Sequence, residues 1–190
     1  MESDRIKWNN RFASEESFLG RRPSTFLTRE IETIKGLTTG RRALDIACGE
    51  GRNSIFLANH GFRVTGIDIS EVGLAKAAQR AAEEGVAVEF VCADLDSYRL
   101  EGSFDLVLNF NFLLRPLIPV EVGLLNPGGL LFFDTILVTP RIPPPTNPDF
   151  YLQQGELIRL FAGFDGEILF YEETDDGDMP TARLMFRKGN

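Results

Sequence analysis

Short apolar runs alternate with helix-like stretches along most of this chain, and that alternation narrows the fold more than any other feature. Residues 43–48 (ALDIAC) read as a buried strand, and residues 54–61 (SIFLANHG) as a helix stopped by Gly61 just past its last turn. RVTGIDIS alternates like a strand, and EVGLAKAAQRAAEEG reads as an Ala-rich helix with Ser70 as its N-cap and Gly85 as its stop. VAVEFVCAD, FDLVLNF and GGLLFFDTILV supply a third, fourth and fifth strand. Between the last two, PLIPVEVGLL reads as a helix ending near Asn126-Pro127-Gly128. Strands and helices in strict alternation fold as a parallel sheet covered on both faces.

The C-terminal part breaks the pattern. VTPRIPPPTNPDF is too long and too rich in proline for an ordinary turn. GELIRLFAGF resumes as a helix, and EILFYEE and ARLMFRK, joined by the acidic TDDGDMP, read as an antiparallel hairpin at the sheet edge. The expected organisation is one domain over residues 1–190: a helical extension at 1–40, a core at 41–137, a proline-rich loop at 138–152, and a helix with the hairpin at 153–190.

Composition excludes several functions. A chain of 190 residues, 43% hydrophobic with 16 Phe, suits one globular domain with a sizeable core. Its opening, MESDRIKWNN, lacks the apolar core of a signal peptide, and no apolar run is long enough to span a bilayer, so the expectation is a cytoplasmic protein without membrane partners. Two distant cysteines, Cys48 and Cys92, and one histidine, His60, give neither a disulfide framework nor a metal centre. Both cysteines read as small core residues, and His60 as a helix-end residue rather than a catalyst. The net charge is −8, and outside residues 1–42 eleven basic residues face twenty-two acidic ones. Most of the domain therefore repels a nucleic-acid backbone, and no nucleic-acid partner is expected. Oligomeric state is not legible.

Open α/β sheets bind ligands at the carboxyl ends of their strands. Here the first strand ends in Ala47-Cys48-Gly49-Glu50-Gly51, the second in Asp68, the third in Asp94, the fourth in Asn109-Phe110-Asn111 and the fifth in Asp134-Thr135. Acidic residues at the tips suit a ligand with hydroxyls, amines or positive charge and suit a polyphosphate poorly. A dinucleotide loop wants G-x-G-x-x-G, yet counting from Gly49 gives G-E-G-R-N-S, with Ser54 in the third glycine's place. Two glycines still let the backbone approach a ligand closely. The loop reads as one that holds a nucleoside-like ligand without requiring a pyrophosphate.

ALDIACGEG, then Asp68 after the second strand, Asp94 after the third and the later LLNPGGLLFF together resemble the class I S-adenosylmethionine-dependent methyltransferases. WNNRF, CGEGRNS, FLLRPLIP and NPDFYLQQGEL are similar to the small bacterial tellurite-resistance-type members. The resemblance implies a Rossmann-like, seven-stranded, mostly parallel sheet with helices on both faces and a C-terminal antiparallel hairpin. It implies S-adenosylmethionine as cofactor and a small-molecule acceptor. Asp45 would lie near the methionine amino group, Gly49 and Gly51 along the methionine and ribose, and Asp68 at the ribose hydroxyls. Asp94 and Leu95 would meet the adenine, with Ala47, Cys48, Asn53, Ile69 and Asn109 completing the cofactor set.

One departure from that family narrows the acceptor. The fourth tip reads NFNF, not the N/D-P-P-Y/F of exocyclic-amine methylases acting on bases, and no cysteine stands in a C5-methylation motif. Methyl transfer is a displacement at an already activated sulfonium, so a soft nucleophile such as a thiol or chalcogen oxyanion would need no dedicated base. The candidate acceptor-side residues are Trp8 and Arg22 in the extension, Asn111 and Arg115 after the fourth strand, and Arg141 in the proline-rich loop. Two have a structural counter-reading, Trp8 with Phe12 as helix-core contacts and Arg115 as a helix-start cap, while Arg141 would act as a lid residue. A non-catalytic cofactor-binding module and a nicotinamide-dependent oxidoreductase are the alternative functions.

Overall fold

A computed structural model describes residues 2–14, 16–142, 147–175 and 179–190. Its contacts divide the chain into two compact units, Met1–Glu101 and Gly102–Asn190.

The first unit opens with two helices, α1 (Glu2–Phe12) and α2 (Thr25–Leu37). It continues as β1 (Arg42–Ile46), α3 (Arg52–Asn59), β2 (Arg63–Asp68), α4 (Glu71–Glu83) and β3 (Val88–Cys92). The three strands pair in parallel in the order β3-β2-β1, with Asp45 opposite Gly66 and Asp68 opposite Cys92. Local chemistry accounts for the boundaries. Ser70 Oγ accepts the Gly73 N–H at 3.1 Å as the N-cap of α4, and Gly61 and Gly85 take the left-handed conformations (φ +84° and +70°) that end α3 and α4. Helix α3 starts two residues earlier than the pattern predicts, because left-handed Gly51 (φ +72°) turns the chain directly into its first turn. Cys92 corrects the expectation of a core cysteine: on the outermost strand of this unit its side chain is exposed.

The second unit holds β4 (Phe104–Phe110), α5 (Ile118–Gly123), β5 (Leu125–Ile136), α6 (Glu156–Phe161), β6 (Gly166–Thr174) and β7 (Thr181–Lys188). β4 and β5 pair in parallel, while β7 runs antiparallel between β5 and β6. The predicted helix over PLIPVEVGLL is shorter than expected: a 3-10 turn (Arg115–Leu117) leads into α5, which stops at Gly123. The strand takes over at once, because Phe104 N donates to Leu124 O at 2.9 Å and Leu125 pairs with Phe104. Asn126-Pro127-Gly128, expected where that helix ends, forms a bulge within β5 between the Phe104/Leu125 and Leu106/Leu130 pairs. Asn126 Nδ2 anchors that bulge on Asp105 Oδ1 at 2.8 Å.

Every residue of β4 is buried; Phe133 of β5, Phe161 of α6 and Phe186 of β7 pack together on one face of the sheet, and Phe132 is buried on the other. Each such ring stabilises the fold by about 1.5–3 kcal/mol relative to an exposed one. The middle of the proline-rich loop (143–146) and the centre of the acidic turn (176–178) lie outside the described residues. No helix among the described residues is long and apolar enough to cross a membrane.

Candidate cofactor site

The tip of β1 and the tip of β2 are tied together by one carboxylate. Asp68, the last residue of β2, accepts the Gly49 N–H on Oδ2 at 2.8 Å and the Ser70 N–H on Oδ1 at 2.9 Å. A carboxylate has about four lone-pair positions, so each oxygen keeps capacity for one more donor. Asp68 is only 6% exposed, and burial raises its pKa while the N–H groups of Ser70 and Gly49 pull it back. The chain reaches Gly49 through Ala47, which follows β1 in a left-handed conformation (φ +52°) that a residue with a Cβ rarely adopts. Cys48 N bonds Ile67 O at 2.9 Å and fixes the loop on β2. At Gly51 a Cβ would lie 2.8 Å from the Ala77 Cβ, so the second glycine is required both for its φ and for the approach of α4.

Asp45 sits one layer deeper. It is 2% exposed and accepts the Ser54 hydroxyl at 2.5 Å. Burial pushes its carboxyl up to about 7, with the Ser54 bond and the Arg52 charge opposing. Ser54, which breaks the dinucleotide pattern, thus holds the acid of β1 in place. Cys48 beside it is half-buried, its thiol pKa raised by burial and then by Asp45 and Asp68.

On the third tip, Asp94 Oδ1 accepts the Asp96 N–H at 3.1 Å and Asp94 O receives Ser97 N and Tyr98 N, so this residue starts a turn. Leu95 is buried, whereas Ile69 is half-exposed. Asn53 is buried and accepts the Ser24 N–H at 2.9 Å, a tie to the segment before α2.

Helix α1 lies against this loop. Asn9 Oδ1 accepts the Ser70 hydroxyl at 2.6 Å, and the Phe12 ring packs on Gly49 and Gly73, 3.1 Å from where a Gly49 Cβ would stand. Trp8 stacks on Phe12 with ring centroids 5.6 Å apart and meets Phe18 edge-on, with Arg11 over both Trp8 and Phe18. Trp8 therefore belongs to an aromatic cluster. Arg22 is exposed, and its carbonyl receives Arg52 Nη1 at 3.5 Å. The sequence reading missed the residues that pin residues 16–24. Buried Glu50 accepts Phe18 N at 2.8 Å and pairs with Lys76 at 3.1 Å, and Arg80 donates to Arg21 O at 3.0 Å. An acid between two functional glycines was the available signal.

In the second unit, Asn109 departs from expectation. Its side chain is fully buried and donates to Glu121 Oε1 at 2.7 Å instead of standing at the strand tip. Asn111 is the exposed residue there, held left-handed (φ +59°) with its N–H on Asp134 O at 2.7 Å. Arg115 bonds Glu156 through Nε (2.6 Å) and Nη2 (3.1 Å), Asp149 O (2.7 Å) and Tyr151 O (2.9 Å). Those bonds commit the guanidinium to ordering the chain before α6 rather than to capping a helix start. Arg141 is exposed and pairs with Asp175. Asp134 pairs with Arg183 of β7 at 3.2 Å. His60 ends α3 with Nδ1 on Phe56 O at 2.8 Å and its ring against Phe56. Among the described residues no group of three His, Cys, Asp or Glu could hold a metal ion.

The chain has counterparts among known proteins. A family described as "Methyltransferase domain" matches residues 43–122, from β1 through α5. Over that stretch the chain is similar to methyltransferases. The ubiquinone biosynthesis O-methyltransferase of Nitrosococcus oceani is 35% identical over 109 residues, covering 54% of this chain and 46% of that protein. The chain spans about half the length of the curated relatives it matches. Among solved structures, TehB from Haemophilus influenzae superposes with a TM-score of 0.70 at 23% identity, over 85% of this chain and 62% of TehB. A structure concerned with conversion of a disulfide bond into a thioacetal group during echinomycin biosynthesis gives 0.74 at 21% identity, over 98% of this chain and 92% of its own. These likenesses establish the Rossmann-like methyltransferase fold, seven strands mostly parallel with an antiparallel C-terminal pair.

Proposed function

We propose that this chain is a class I methyltransferase that transfers the methyl group of S-adenosylmethionine to a small-molecule acceptor, with a soft nucleophile such as a thiol or chalcogen oxyanion as the preferred class. The observation that carries the reading is Asp68: its carboxylate is fixed to the glycine loop through Gly49 N and retains acceptor capacity for two vicinal hydroxyls. When bound, the cofactor supplies a methyl group already activated on a sulfonium. The chain's part is to bind and orient. Asp68 would accept the ribose hydroxyls, Asp45 would face the methionine ammonium, and Asp94 with Leu95 would flank the adenine. Ala47, Cys48, Gly49, Gly51, Asn53 and Ile69 would line the rest. The side chain of Asn109 acts behind its strand tip, and Trp8, Arg22, Asn111 and Arg141 are each proposed, unit by unit, as acceptor-side candidates.

The chain's one histidine is bonded at the end of α3, away from the strand tips. An acceptor that arrives already nucleophilic fits a site without an imidazole base. The curated relatives are O-methyltransferases, which favours a second reading, a hydroxyl acceptor. The negative balance outside the extension disfavours nucleic acid as substrate. The test is production of S-adenosylhomocysteine with three acceptor sets: thiols, chalcogen oxyanions and catechols. Turnover with either of the first two supports the proposal. Turnover with catechols alone moves the acceptor to oxygen, and binding without any turnover makes the chain a cofactor-binding module.

A further inference from the structure

Helix α5 carries a fully buried acid. Glu121 lies between Val120 and Val122, is 0% exposed, and faces Asn109 of β4, also 0% exposed. Asn109 Nδ2 donates to Glu121 Oε1 at 2.7 Å. The two remaining oxygens, Asn109 Oδ1 and Glu121 Oε2, are buried and bond nothing. An ionised Glu121 would leave a charge and two lone acceptors away from water, an arrangement proteins avoid. A proton on Oε2 turns one of those acceptors into a donor and gives the other its partner. A carboxylic acid and a primary amide then form the reciprocal, eight-membered hydrogen-bonded pair that both groups are shaped for.

We propose that Glu121 is held as a neutral carboxylic acid that pairs reciprocally with Asn109 and acts as a positioning residue for the tip of β4. Burial works in the same direction, pushing the Glu121 carboxyl up to about 8 against the pull of the Asn109 bond. The tip needs such a clamp. Two residues beyond Asn109 the backbone of Asn111 is left-handed (φ +59°), a conformation uncommon outside glycine although Asn tolerates it better than most residues. The pair holds β4 to α5 immediately before that turn, and Asn111 N on Asp134 O holds the turn to β5. The role of the tip rests on the methyl-transfer reading, whereas the protonated pair stands on the geometry alone.

The experiment is infrared spectroscopy of the folded protein at neutral pH, with glutamate carboxyls labelled with carbon-13 so that the equally buried Asp45 does not contribute. The expected result is an isotope-shifted carbonyl band of a protonated glutamic acid, lost in Glu121→Gln and moved to higher frequency in Asn109→Ala. Glu121→Gln preserves a reciprocal amide pair, so its kcat should stay within about threefold of wild type; Glu121→Leu should lower kcat by more than about tenfold with the KM for S-adenosylmethionine unchanged. Absence of the protonated glutamate band from the wild-type protein overturns the proposal, as does a band that Asn109→Ala leaves in place. Failure of the chain to transfer methyl groups would remove the kinetic readout but not the infrared one, which needs no cofactor.

Discussion

Replacing Asp45 by Asn isolates the proton that burial imposes on the acid of β1. Asp45 is almost fully enclosed, is bonded by Ser54 Oγ at 2.5 Å, and has its carboxyl pushed from 3.8 to about 7. An acid whose pKa is higher in the folded than in the unfolded chain binds its proton more tightly when folded. Its contribution to stability is full below about pH 4 and is lost as pH rises through about 7. A shift of about three units corresponds to roughly 4 kcal/mol. Asn keeps an acceptor for the Ser54 hydroxyl and has no such proton to lose. The stability difference between the variant and wild type should therefore move by roughly 4 kcal/mol in the variant's favour from about pH 4 to pH 8. Urea denaturation of both proteins across that range measures it, and taking the difference at each pH cancels every other titrating group. A difference that does not vary with pH would refute the argument. One that moved in favour of wild type as pH rises would show instead an ionised Asp45 stabilised by a cationic partner.

Other consequences follow from single contacts. Gly51→Ala forces a Cβ onto a residue at φ +72° and within 2.8 Å of the Ala77 Cβ, so it should lose roughly 2–4 kcal/mol. Gly61→Ala, at φ +84° in open space, should lose only about 1 kcal/mol, and equal losses in urea denaturation would contradict the packing argument. Arg115→Met removes the pair with Glu156 and two bonds to carbonyls, which should cost about 1–3 kcal/mol and speed proteolytic cleavage within residues 147–155. An unchanged cleavage rate there would mean that Arg115 does not order the segment.

Elements whose signals are local were legible in the sequence. Ser70, Gly61 and Gly85 mark helix ends because capping and left-handed turns are decided within a few residues. The same locality exposed Gly49, Gly51 and Asp68 as strand-tip groups. Features set by distant partners were not legible. Asn109 reads as a polar tip residue until Glu121, twelve residues on, is seen to turn it inward. Arg115 reads as a cation in search of an anion until α6 brings Glu156 to it, and the exposure of Cys92 depends on β3 having no neighbour on its far side within its unit. Ser54 was visible as a departure from a dinucleotide loop, yet its purpose required knowing that the Asp45 carboxylate points back at α3.

The central claim is that the β1 loop and Asp68 form a site for S-adenosylmethionine, and calorimetric titration of the purified protein tests it most directly, with NAD as the control ligand and Asp68→Ala as the control protein. Saturable binding of S-adenosylmethionine alone is predicted. Asp68→Ala removes hydrogen bonds to a charged acceptor, about 1.5–3 kcal/mol each, and should weaken that binding at least tenfold. Binding of NAD without S-adenosylmethionine, or an affinity that Asp68→Ala leaves unchanged, would contradict the account.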